Sequence, residues 1–172
     1  MNLLITGGLG HIGTYFLSRS HELKKIKNIY VLDKIEERIL ILVNLKLKRK
    51  INFINIDLSK KIIKFKDKKK FDIAIHLSST TNAEASVKHK NKVFKNNLGC
   101  FKNVLSFCVK NKIKLIHLSS TSVYGSQDLY VDEDCEELLP QSPYAEVKII
   151  EEKILKKTNK NFKFVTLRLG TI

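Results

Sequence analysis

The segment Ser142-Pro143-Tyr144-Ala145-Glu146-Val147-Lys148 carries a tyrosine and a lysine four residues apart. On a helix that spacing puts both side chains on one face. An ammonium beside a phenol favours the phenolate and lowers the tyrosine pKa. A phenol tuned in this way takes a proton from an alcohol near neutral pH. Upstream, an apolar run ends in hydroxyls at Leu118-Ser119-Ser120-Thr121-Ser122-Val123-Tyr124-Gly125. A Ser or Thr hydroxyl there can hydrogen-bond the same substrate oxygen. These parts suit oxidation of an alcohol, provided that a hydride acceptor is bound nearby. Tyr-x-x-x-Lys by itself is a common surface pair; its weight comes from the hydroxyl cluster before it and the apolar run that precedes both.

The acceptor is indicated at the other end of the chain. Met1 to Thr6 is a short apolar run that leads into Gly7-Gly8-Leu9-Gly10-His11-Ile12-Gly13. Residues without a Cβ let a phosphate approach the backbone, and a helix starting near His11 directs free N–H groups and its positive dipole end at the anion. Two glycine registers fit, Gly8/Gly10/Gly13 and Gly7/Gly10/Gly13. Asp33 ends the next apolar run, 20 residues after Gly13. A carboxylate there can accept the ribose hydroxyls of an adenosine and repel a 2′-phosphate, which favours NAD over NADP. Lys34 and Arg38 lie close by and pull the other way. A helix cap is the competing role for Asp33.

The elements that must position these residues follow from the pattern of apolar runs. Besides the first, they are Asn28 to Asp33, Ile51 to Asp57, Phe71 to Ser79, Ile113 to Ser120 and Phe162 to Leu169. Rich in Ile and Val without strict alternation, they read as about six strands buried on both faces. The stretches between them are long enough for helices. The longest, from about Asn82 to Lys110, places Val87, Phe94, Leu98, Phe101, Leu105 and Val109 at helical spacing. The expected fold is α/β, a Rossmann-type doubly wound parallel sheet with helices on both faces.

With 172 residues and 43% hydrophobic residues, one globular domain is expected. No apolar run is long enough to span a bilayer. The N-terminus enters a strand pattern directly, without the basic region and cleavage site of a signal peptide, so a cytoplasmic protein is expected. Cys100, Cys108 and Cys135 show no metal-ligand or CxxC spacing, and the five histidines form no ligand cluster. The formal charge of +15 invites a nucleic-acid partner. Arginine, favoured for base readout and phosphate clamps, occurs only at 19, 38, 49 and 168, while lysine is spread along the chain. A solvated basic surface is therefore expected, with no nucleic acid and no membrane as partner. The acidic loop Asp132-Glu133-Asp134 and Glu136-Glu137 reads as solvated.

Taken together, the chain resembles the N-terminal cofactor domain of an extended short-chain dehydrogenase/reductase, in the NAD-dependent epimerase/dehydratase family acting on nucleotide sugars. Thr6 to Gly13 is similar to the family's TGxxGxxG turn, and Tyr144 and Lys148 to its YxxxK. Asp57-Leu58 resembles the pair whose Asp contacts adenine. His76-Leu77-Ser78-Ser79 resembles the small-residue motif that lines the cofactor, and Asn97-Leu98-Gly99 a mid-helix Asn-x-Gly. Ser119 to Gly125 resembles the Ser-rich VYG motif, which makes Ser120 the catalytic hydroxyl, with Thr121 as second choice. The resemblance thus implies catalytic Ser120, Tyr144 and Lys148. It implies NAD held by Gly7, Gly10, His11, Ile12, Gly13, Asp33, Asp57, Leu58, Leu77, Ser78, Ser79, Asn97, Tyr144 and Lys148.

The sugar 4,6-dehydratases of the family carry acidic residues two and often three places before the VYG tyrosine. Here Ser122 and Thr121 stand there, which leaves an epimerase, a reductase or a dehydrogenase. The family's smaller C-terminal region, which grips the sugar nucleotide, is not within 1–172; Gly170 stands where the family's R-x-x-N motif reaches toward its Asn. A non-catalytic NAD-binding module, or a truncated remnant of such an enzyme, is the alternative. In the family, the helix from about Asn82 and the helix of Tyr144 pair across a dimer axis. Val147, Ile149, Ile150 and Ile154 leave the latter apolar on more than one face, so a homodimer is expected.

Overall fold

The structure, a computed structural model, describes residues 1–35, 38–44, 50–65, 70–81, 87–127 and 130–170. Six strands form one parallel sheet: β1 (Asn2–Thr6), β2 (Asn28–Asp33), β3 (Ile51–Asn55), β4 (Ile73–His76), β5 (Lys114–Ser120) and β6 (Phe164–Leu169). Their spatial order is β3-β2-β1-β4-β5-β6. Among the described residues, the α-helices that accompany them are α1 (His11–Arg19), α2 (Ile39–Asn44), α3 (Lys90–Lys110) and α4 (Pro143–Lys156). This is the expected doubly wound fold.

The alternation of side chains across a strand sorts the core into two layers. Leu3 and Ile5 of β1 pack with Ile29 and Val31 of β2, Leu17 of α1 and Leu42 of α2. Leu4 and Leu32 face the other way, against Phe101 and Val104 of α3 and Leu155 of α4. Helices therefore cover both faces, and β1 and β2 read as unbroken apolar runs because neither face sees water.

The strands are shorter than the apolar runs. Asp57 lies past the end of β3, and Leu77, Ser78 and Ser79 past that of β4; these residues form the loops above the sheet. Strand β6 departs from the expectation of burial on both faces. It is an edge strand, and Phe164, Val165 and Leu167 are exposed. Residues 82–86, expected to open the long helix, lie outside the described residues. The buried face of α3 is Val93, Asn97, Cys100, Phe101, Val104, Leu105 and Cys108. Of the expected stripe only Phe101 and Leu105 belong to it, while Val87 and Val109 are exposed. On α4, Val147 and Ile149 are buried within this chain, so the surplus apolar surface is smaller than expected. No helix among the described residues is long and apolar enough to cross a membrane.

Phe101 is fully buried and touches both the core layer and the imidazoles of His76 and His117. Its truncation leaves a cavity that rigid strands and helices cannot fill. Phe101→Ala is expected to cost about 3–5 kcal/mol, read as a lowered urea midpoint with an unchanged slope.

Candidate active site

All six parallel strands end at one side of the sheet, where the strand order reverses between β1 and β4. A cleft of about 780 Å³ opens there, within the range of small-molecule sites. A smaller hollow of about 560 Å³ lies at the opposite ends of β5 and β6, among Lys112, Lys114 and Lys163. It gathers none of the residues with candidate chemistry.

The first wall of the cleft is the glycine turn. Gly7 has φ +71°, and a Cβ there would stand 2.6 Å from the backbone nitrogen of Ser78. Its N–H donates to Leu32 O (2.8 Å). A Cβ on Gly13 would meet Gly8 O at 2.5 Å, so the helix start packs directly on the turn. Gly7 and Gly13 are thus required by close backbone contact, Gly8 by the side chain of Val31. No side chain caps the N-terminus of α1, and its first turn contains no acidic residue. Those N–H groups are the kind that need an external acceptor. His11 is exposed at this mouth.

Asp33 is 8% exposed. Oδ2 accepts the N–H of Leu9 (3.0 Å), and Oδ1 those of Lys34 (2.8 Å) and Ile35 (3.1 Å). A carboxylate has about four acceptor positions, so among the described residues one remains, on Oδ2. The sequence suggested that both ribose hydroxyls could bond here. In this arrangement one can do so without displacing a backbone donor, and the loop-capping role is real as well. Lys34 and Arg38 line the same end. Asp57 accepts Ser59 Oγ (2.6 Å) and Ser59 N–H (3.0 Å), and the Ser59 hydroxyl in particular lowers its pKa.

Every predicted site residue lines the cleft except Asn97. Asn97 is wholly buried. Its Oδ1 accepts the Thr80 N–H (2.8 Å) and its Nδ2 donates to Thr80 O (3.1 Å). It braces the loop after β4 from behind, and its neighbour Asn96 reaches the cleft instead. Thr121 turns away and donates to Leu169 O (3.3 Å). Ser120 Oγ accepts from the N–H (3.2 Å) and the hydroxyl (2.9 Å) of Ser122, which leaves its own O–H free to donate into the cleft.

Tyr144 and Lys148 come from α4, whose start is fixed by Ser142. Its Oγ accepts the Ala145 N–H (3.2 Å), and Pro143 takes the first helical position. The Lys148 Nζ lies 5.8 Å from the centroid of the Tyr144 ring. The expected lowering of the phenol does not appear. Burial, and then the charge of Glu151, push the Tyr144 pKa above 10. The Lys148 ammonium is paired with Glu151 (2.8 Å).

Glu151 was not among the sequence candidates. Its Oε2 accepts from both Lys148 Nζ and His117 Nε2 (2.9 Å), and all three side chains are almost completely buried. Burial would raise the Glu151 carboxyl, but the His117 hydrogen bond and the Lys148 charge outweigh it and hold the pKa low. Desolvation outweighs the carboxylate's effect on His117 and keeps that ring neutral. The contact to Glu151 is accordingly a hydrogen bond from a neutral imidazole, with the proton assigned to Nε2. The next residue, Glu152, pairs with Arg168 on β6 (2.8 Å), and Arg168 also donates to Tyr124 Oη (2.8 Å). This second pair holds the turn after β5 against β6.

The family model for NAD dependent epimerases and dehydratases matches residues 3–172. The chain belongs to the NAD-dependent epimerase/dehydratase family. Among its curated relatives is the ADP-L-glycero-D-manno-heptose-6-epimerase of Fusobacterium nucleatum. It is 30% identical over 151 residues, which are 83% of this chain and 43% of that protein. The dTDP-D-glucose 4,6-dehydratase of Dictyostelium discoideum is 31% identical over 183 residues, 94% of this chain and 41% of that one. The structure of the UDP-Glc/GlcNAc 4-epimerase from Campylobacter jejuni superposes with a TM-score of 0.83 at 27% identity. It covers 97% of this chain and 52% of that one. The chain therefore spans about half, or less, of the relatives it matches.

Below the cleft, burial pushes the His76 pKa from its ordinary 6.5 down to about 3, and His117 shifts in the same direction. A depressed histidine contributes stability that is fully present above pH 6.5 and is lost as the pH falls toward its folded value. Glu151 and Glu152, also depressed, add to the loss below about pH 4.5. Each proton taken up on unfolding gives a slope of about 1.4 kcal/mol per pH unit. Urea midpoints should therefore fall steadily from pH 6.5 to 4, and the His76→Asn variant should lose about one proton of that slope. A flat profile would show that the imidazoles charge freely in the folded state.

Proposed function

We propose that this chain binds NAD in the cleft and carries the catalytic set of a nucleotide-sugar epimerase or dehydrogenase-type oxidoreductase. The observation that carries this reading is the convergence of the glycine turn, Asp33, Ser120, Tyr144 and Lys148 on one cleft. The residues fit the cofactor by a direct test: a Cβ at Gly7 would close the cradle, and the α1 N-terminus lacks any acceptor of its own. The uncapped N–H groups of His11 and Ile12 at the start of α1 would hold the pyrophosphate over the glycine turn, and the last acceptor position of Asp33 an adenosine ribose hydroxyl. The Asp33 charge favours NAD over NADP, against Lys34 and Arg38. Asp57, Leu58 and Leu77 to Ser79 would line the remaining wall.

Bound NAD supplies a hydride acceptor and a cationic nicotinamide ring. Ser120 donates its free O–H to the substrate oxygen and orients it. Tyr144 takes the proton of that hydroxyl onto Oη. Its pKa, high in the chain alone, falls when positive charge enters the cleft. Lys148 supplies the protein's own ammonium at this end. Ser122 and Thr121, where dehydratases of the family are acidic, offer no group to expel water from a sugar, so a 4,6-dehydratase is disfavoured. A homodimer remains part of the reading, resting on Phe94, Leu98 and Ile150, which are only partly covered on α3 and α4.

A non-catalytic NAD-binding module is the second reading, favoured by the Lys148–Glu151 pair, which balances the charge of the ammonium beside the phenol. Tyr144→Phe separates the two. The enzyme reading expects turnover of nucleotide sugars by the wild type, followed through NADH absorbance or product chromatography. It expects a loss of at least about a hundredfold in the variant, with NAD affinity kept. Equal turnover in the two proteins would remove Tyr144 from the mechanism; binding without turnover in both would favour the module.

A further inference from the structure

Tyr144, Lys148 and Glu151 stand at positions i, i+4 and i+7 of α4, one stripe of the helix. The stripe faces β5, where Leu115, His117 and Ser119 alternate toward it. Lys148 is 2% exposed and Glu151 1%. A buried ammonium is expensive unless a counter-charge meets it, and Glu151 is the only acidic side chain that an ion pair links to Lys148 among the described residues. Glu152 cannot serve, because both its oxygens are taken by Arg168. The carboxylate is itself held: His117 donates to the same oxygen from the strand behind it. We propose that Glu151 is the positioning residue of this site, a carboxylate braced by His117 that fixes the Lys148 ammonium beside Tyr144 and balances its charge.

The arrangement has two consequences. The first is geometric. Lysine has four rotatable carbons and a mobile head; clamped at 2.8 Å by a carboxylate that is anchored to the sheet, it presents its remaining donors in a constant place. The second is electrostatic. The titratable groups around the phenol are Lys148 and Glu151 on its own helix, His117 on β5 and His76 on β4, with both imidazoles neutral. Burial raises the pKa of the phenol most, and the Glu151 charge adds to it in the same direction.

The proposal deepens the reading of the cleft as an NAD site, and two measurements on the purified protein test it separately from that reading. The first needs no cofactor. The ring-carbon NMR signal of Tyr144, assigned by its loss in Tyr144→Phe, is titrated in the wild type and in Glu151→Gln. The amide keeps the shape and an acceptor for His117 but removes the charge. The Tyr144 titration should move to lower pH in the variant; an unmoved titration overturns the proposal.

The second is a double-mutant cycle on NAD affinity with Lys148→Met and Glu151→Gln. If Glu151 acts through Lys148, Glu151→Gln weakens NAD binding about tenfold in the wild type and has almost no effect in the Lys148→Met background. Equal losses in both backgrounds, as a merely structural glutamate would give, overturn it. Thermal melts of each variant establish that the fold is kept. Should the wild type bind no NAD, the reading of the cleft fails, and the Tyr144 titration alone decides the role of Glu151.

Discussion

Two backbones have to touch where β1 and β4 end. Gly7 lies so close to Ser78 that no side chain fits between them, and this contact sets the shape of the cleft. The sheet order reverses at this point, so crossovers leave β1 and β4 toward opposite faces and the strand ends stay uncovered. The contact brings the loop after β4 up to the glycine turn. Asn97 then pins that loop from α3 through both polar atoms of its amide. On the other side, Gly13 packs on Gly8 and draws the start of α1 onto the same turn. The backbone alone thus shapes this wall of the cleft and leaves the start of α1 without a side-chain cap.

The opposite wall is made by buried charge. Helix α4 is tied to the sheet by two pairs of opposite character. Glu151 joins Lys148 to His117 in a nearly dry interior, and Glu152 joins Arg168, and through it Tyr124, at the edge. Pairs of this kind add little net stability, since desolvation consumes most of the attraction. Their effect is on geometry: each permits one orientation of α4 relative to β5 and β6, and so one placement of Tyr144. The neutrality of His117 follows from the same dryness that makes the ion pair necessary.

The parts of this architecture that rest on local pattern were legible in the sequence. The apolar runs locate all six strands, and the glycine spacing with Asp33 locates one wall of the cleft. Tyr144 and Lys148 share a face because 3.6-residue periodicity requires it. What depends on contacts distant in sequence was not legible. Glu151 follows Ile149-Ile150 and precedes another glutamate, a pattern that reads as the start of a polar face; its partner His117 is 34 residues away. Asn97 was assigned to the cofactor by resemblance, although its amide is spent on Thr80. Apolar type alone also failed to find the buried face of α3, where Asn97 and Cys100 take core positions while Val87 and Val109 face water.

Calorimetric titration of NAD into the wild type and into Gly7→Val asks whether the proposed glycine cradle holds the cofactor. Saturable binding at one site per chain is expected, with its loss in the variant, whose side chain would occupy the space against Ser78. Absence of binding to the folded wild type, or equal binding by a folded Gly7→Val variant, would contradict it.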